Sequence, residues 1–80
     1  MMSVFNLRKV RESGLTTLGC AKALYFVAMQ NPDKKTAMKT FDLYTLQKLE
    51  RNGYIESQNG GWRATEEGLK TLEWVMKEER

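Results

Sequence analysis

Residues 41–68 read FDLYTLQKLERNGYIESQNGGWRATEEG, and this stretch sets the architecture: a helix, a tight antiparallel hairpin and the opening of another helix. Leu43, Leu46 and Leu49 recur every three residues and share one stripe of a helix, while Tyr44, Lys48 and Arg51 fall on the opposite side. Asp42 is placed to cap this helix by accepting from the unpaired amides of its first turn, Phe41 can staple against Leu46, and Gly53 supplies the left-handed residue that closes it. Tyr54 to Ser57 alternates as a strand, Gln58-Asn59-Gly60-Gly61 holds residues that tolerate positive φ, and Trp62 to Thr65 alternates back, so a hairpin follows. Thr65 sits at the N-cap position of a closing helix, with Glu66 and Glu67 at the positive end of its dipole.

The run Leu46-Gln47-Lys48-Leu49-Glu50-Arg51-Asn52-Gly53-Tyr54-Ile55, followed by Trp62-Arg63-Ala64-Thr65-Glu66-Glu67-Gly68, resembles the LxxLExxGxI … xTxxG pattern of winged-helix regulators of the MarR and PadR type. The resemblance covers roughly a third of the chain. It implies a mainly α fold with a small β-hairpin, a winged helix-turn-helix with extra N- and C-terminal helices. It further implies that helix 42–52 enters the DNA major groove and that hairpin 54–65 is the wing. The chain departs from that pattern between Pro32 and Leu43, where there is less sequence than a full helix plus turn normally uses.

The remaining chain is expected to form one domain over 1–80, with an N-terminal helix 3–12, a core 16–65 and a C-terminal helix 66–79. Ser3 can cap the first helix, which ends at Ser13-Gly14 and carries Val4, Leu7 and Val10 on one stripe. In the resembling families such an extra helix often builds a dimer interface. Val4, Leu7 and Val10 therefore face either a second subunit or the chain's own core.

Thr16 or Thr17 caps the second helix, which runs to about Gln30 with Lys22 as its only charge; apolar nearly all round, it reads as buried all round. Phe26 on this helix is a further candidate dimer contact. After the break at Asn31-Pro32, either Pro32 opens a short helix or Lys34-Lys35 is extended and Thr36 caps a helix through Thr40, with Ala37 and Met38 inward. In the last helix Leu69, Leu72, Val75 and Met76 form the apolar stripe. Trp74 projects from the other side, either folded against a neighbouring element or in a subunit contact.

Composition narrows the function. Apolar residues make up 41% and charged residues 29%, the balance of a soluble globular protein. Residues 1–10 lack the apolar core of a signal peptide, and Leu18 to Met29 is too short to span a bilayer, so a cytoplasmic protein without membrane association is expected. Cys20 is single and histidine is absent, which removes the usual zinc sets and leaves a buried, inert thiol or, as the alternative, a redox role. No catalytic constellation is present, so neither an enzyme nor a cofactor is expected: adjacent glutamates on a helix point apart, and Gly60-Gly61 is a turn, not a phosphate cradle.

Charge is uneven. Residues 1–55 carry nine basic and four acidic residues, a net of +5, whereas residues 56–80 carry four basic and six acidic, a net of −2. A basic front suits a polyanion-binding face, although a solvated exterior has the same composition. On helix 42–52 the residues opposite the buried stripe are Tyr44, Lys48, Arg51 and Asn52, with Thr45 and Gln47 at the edges. These side-chain types read base edges or neutralise phosphate. Lys34, Lys35 and Lys39 are candidate phosphate contacts. On the hairpin Arg63 is the only basic residue and Asn59 lies at the tip; Trp62 reads as core or as a base contact.

The function expected is a small sequence-specific double-stranded DNA-binding protein, a transcriptional regulator, homodimeric through Val4, Leu7, Val10, Phe26 and Trp74. The alternative is a winged-helix protein-protein interaction module without specific DNA binding. A third reading is single-strand or RNA binding through Tyr44 and Trp62.

Overall fold

In the computed structural model, which describes residues 5–76, the helix expected at the centre is α2 (Leu18–Gln30). Thr17 begins it, its hydroxyl accepting from the Cys20 amide, and Asn31 ends it in the left-handed conformation at φ 44°. Around it lie α1 (Leu7–Glu12), α3 (Lys34–Thr40), α4 (Leu43–Arg51), the hairpin β1 (Ile55–Gln58) and β2 (Gly61–Ala64), and α5 (Glu66–Met76). The fold is mainly helical with a small two-stranded antiparallel sheet, consistent with a winged helix-turn-helix bearing extra terminal helices.

The core is one cluster: Ala21, Ala23, Leu24 and Val27 of α2 meet Val10, Leu15, Leu46, Leu49, Ile55 and Val75. Burial of α2 is nevertheless incomplete, contrary to the expectation. Lys22, Tyr25 and Met29 share an exposed side, because α1, α4, α5 and β2 are too few to enclose a helix completely. Phe5 meets the edge of Tyr25, ring centroids 6.1 Å apart.

α1 begins later than expected. Phe5 and Asn6 are not helical, since Asn6 takes the capping role: its side chain accepts from the Lys9 amide at 3.2 Å and its own amide donates to Val75 of α5 at 2.8 Å. Ser3 and Val4 lie outside the described residues. Ser13 closes the helix as expected.

α3 also corrects the sequence. Lys34-Lys35 is helical, not extended, and the cap is Asp33, whose carboxylate accepts from the Thr36 amide at 3.3 Å. Hydrogen bonding from the Thr36 side chain holds the Asp33 carboxyl below its ordinary pKa. The extended segment lies one step earlier. Pro32 accepts from the Trp62 amide at 3.1 Å and Lys34 donates to Gly60 at 3.2 Å, so Asp33 forms a bridge to Gly61. Pro32 has no amide to offer, but its carbonyl serves β2 and fixes where α3 starts. Ala37 is buried, whereas Met38 faces out.

Only Phe41 and Asp42 separate α3 from α4. Phe41 packs on Phe26, ring centroids 5.6 Å apart, and the Asp42 side chain makes no capping bond to the backbone; its carboxylate accepts the Thr45 hydroxyl. Leu46 and Leu49 are buried, but Leu43 is 44% exposed. Leu43 and Leu49 flank Leu46 on opposite sides, and of the two only Leu49 is buried in the helix's packing against α2 and β1.

The hairpin pairs Ile55 with Ala64 and Gln58 with Gly61 around a two-residue turn in which Asn59 and Gly60 have φ of 53° and 78°. Positive φ at both central positions is the type I′ geometry that matches strand twist. Thr65 caps α5 by accepting from the Gly68 amide at 3.0 Å. In α5, Leu72 and Val75 are buried, while Leu69, expected on their stripe, is exposed. Gly68 has a specific reason: a Cβ there would collide with the Tyr54 carbonyl oxygen, a backbone atom. Alanine ordinarily favours a helix by up to about 1 kcal/mol over glycine. Here the collision outweighs that gain, and Gly68→Ala is expected to lower stability by about 1–3 kcal/mol, read by urea denaturation.

Candidate nucleic-acid interface

The second helix of the helix-turn-helix pair, α4, is anchored by Leu46 and Leu49 and presents Leu43, Tyr44, Gln47 and Arg51 to solvent. Residues three, four and seven apart lie together on a helix, so these four make one continuous face. Tyr44 is 70% exposed. Arg51 makes no hydrogen bond or ion pair among the described residues. Glu50 turns away from this face, where its carboxylate accepts from the Ser57 hydroxyl at 2.7 Å.

The other side of α4 is not free. Lys48 is half-buried and donates to the Thr16 hydroxyl at 2.7 Å, Asn52 donates to the Gly14 carbonyl at 3.4 Å, and the Gly14 amide donates to the Tyr54 hydroxyl at 3.1 Å. The loop between α1 and α2 thus clasps the end of the helix. Thr16 holds a left-handed φ of 65° within this loop. Thr45 is half-buried, its hydroxyl directed to Asp42.

Lys35 and Lys39 are exposed on α3; Lys34 is half-buried, its ammonium 5.2 Å from the centre of the Trp62 ring. A cation over an indole face is attracted by the ring's negative quadrupole. On the hairpin, Arg63 donates to the Gln58 side chain at 3.0 Å and Asn59 stands exposed at the tip. Trp62 is core. Residues 34–52 carry five basic and two acidic residues, a net of +3, whereas α5 carries one basic and three acidic, a net of −2.

Compared with family models, with curated proteins and with solved structures, the chain matches none. Of the candidate subunit contacts, Leu7 and Trp74 are exposed, Phe26 is half-buried against Phe41, and Val10 belongs to the chain's own core. Val4 lies outside the described residues. Trp74 also has a neighbour within the chain, the Lys9 ammonium 5.4 Å from its ring centre. Among the described residues no helix is long and apolar enough to cross a membrane, and no group of three or more His, Cys, Asp or Glu is placed to hold a metal ion.

Sequence periodicity missed Leu43 and the clasp. Leu43 belongs by spacing to the apolar stripe, and only its place as first residue of the helix hints at exposure. Gly14 and Thr16 lie more than thirty positions from Lys48 and Asn52, beyond the reach of any local signal.

Proposed function

We propose that the chain is a sequence-specific double-stranded DNA-binding protein and a cytoplasmic transcriptional regulator of the MarR and PadR kind, with no catalytic activity or cofactor of its own. What supports this above all is the open face of α4: Tyr44, Gln47 and Arg51 project from a helix whose opposite side is locked into the core. Glutamine suits adenine and arginine suits guanine in the major groove. Lys34, Lys35 and Lys39 supply phosphate contacts from α3, and Asn59 and Arg63 supply them from a short wing. The active form is a homodimer using Leu7 and Trp74, which sets two α4 helices about 34 Å apart, one DNA turn.

A titration against random and selected duplexes at two salt concentrations tests the proposal. Arg51→Ala is expected to cost about 1–3 kcal/mol at the preferred site and to relax the choice of base there. Lys39→Ala, which removes an exposed lysine of α3, is expected instead to weaken binding to all duplexes alike and to reduce the salt slope by about one. A folded Arg51→Ala variant that binds as the parent does would remove α4 as the reader, and a folded Lys39→Ala variant with an unchanged salt slope would remove α3 as a phosphate contact. A second reading, a protein-interaction module, draws on the exposed Met38, Leu43 and Tyr44. Selection without any enriched duplex would favour it.

A further inference from the structure

The open face of α4 is not uniformly polar. Leu43, 44% exposed, is the first residue of the helix, and Tyr44 beside it is the most exposed of the large apolar side chains among the described residues. Gln47 and Arg51 follow Leu43 at intervals of four, so one row runs from an apolar side chain at the front of the helix to an amide and then a guanidinium. Burial of a leucine is favourable in proportion to the area removed from water. The chain leaves nearly half of this one uncovered, at the end of the helix that leads into a groove in a helix-turn-helix.

Charge limits what can cover it. Residues 34–52 have a net charge of +3 with Asp42 and Glu50 counted; the Glu50 carboxylate is turned to Ser57, away from this face, and the Asp42 carboxylate accepts the Thr45 hydroxyl while keeping its charge. An apolar spot on a segment of net positive charge fits a polyanion that itself displays an apolar group. In the major groove that group is the thymine 5-methyl, which neither cytosine nor the purines carry.

We infer that the first turn of α4 reads thymine, with Leu43 packed on the 5-methyl group and Tyr44 flanking it, while Gln47 and Arg51 read hydrogen-bonding edges further along. This rests on the proposed reading of duplex DNA by α4 and adds the chemistry of its target: an A·T pair where the front of the helix meets the groove. Leucine offers no hydrogen bond. Its discrimination therefore depends on the methyl group alone, which separates it from Gln47 and Arg51 experimentally.

The experiment uses the full chain and a duplex enriched from a random library, prepared once with thymine and once with deoxyuridine at the same positions. Deoxyuridine pairs as thymine does and lacks only the methyl group. The parent is expected to bind the deoxyuridine duplex about fourfold more weakly for each methyl contacted. Leu43→Ala, with its fold checked by circular dichroism, is expected to bind the thymine duplex with a similar loss and to no longer distinguish the two. Equal binding of both duplexes by the parent, an enriched site without thymine, or a Leu43→Ala variant that still distinguishes them overturns the thymine assignment while leaving DNA reading by α4 in place. Absence of any duplex binding overturns both and points to a protein partner for the same face.

Discussion

Leu49→Ala is expected to lower the unfolding free energy by about 2–5 kcal/mol, the range for removing a buried leucine and leaving its cavity. Leu49 is 1% exposed and lies where α4 meets α2 and β1. A chain of 80 residues has a total stability of about 4–12 kcal/mol, so this single truncation leaves a large part of the population unfolded. Leu43→Ala, at the other end of the same apparent stripe with its side chain partly in water, is expected to cost under about 1 kcal/mol. Urea denaturation of the pair measures the rotation of α4 directly. Equal losses would mean that the helix is turned from the orientation described, with Leu43 in the core.

Trp62→Ala is expected to cost about 3 kcal/mol, near the lower end of the range for a buried aromatic. Two effects oppose each other. Trp62 is 3% exposed and joins the hairpin to the core, with Lys34 over its face. Its Nε1, however, is buried without a hydrogen-bond partner among the described residues, and an orphaned donor costs about 1–3 kcal/mol, so removing the whole side chain returns part of the loss. Trp62→Phe separates the two, because it keeps most of the ring and removes the donor. Its expected cost is under about 1.5 kcal/mol, compared with the alanine variant by thermal and urea unfolding. A phenylalanine variant as unstable as the alanine one would show that the indole N–H has a partner in solution.

The part of the fold written in local chemistry was legible from the residues. Asn59-Gly60 is the pair a type I′ turn needs, Gly53 takes φ 82° after α4, and Thr65 caps α5, so α4, the hairpin and the start of α5 follow within a residue or so of expectation; the expected end of α5 at 79 lies outside the described residues. Thr17 and Asn31 likewise bound α2. Where the sequence misled, a distant partner overrode a local preference. Asp33 outranked Thr36 as a cap because Pro32 and Asp33 are held against β2, and Asn6 sets the start of α1, its amide engaged by Val75. At the candidate site, Tyr44 and Arg51 stand exposed as helical spacing puts them, and Gln47, expected at an edge, lies within the open face. Lys48 and Asn52 also stand where that spacing puts them, but the loop carrying Gly14 and Thr16 occupies that side, a tertiary contact that periodicity cannot encode.

A two-stranded hairpin by itself is at best marginally stable in water. This one is stitched at its far end to the start of α3, through Trp62 to Pro32 and Lys34 to Gly60. The tip cannot swing without first unzipping from α3, so the hairpin and α3 travel as one body. The backbone positions that carry Lys35 and Lys39 on the helix, and Asn59 and Arg63 on the hairpin, therefore keep fixed spacings. A partner must match them as a rigid template, because the wing cannot follow a curved surface independently of the helix beside it.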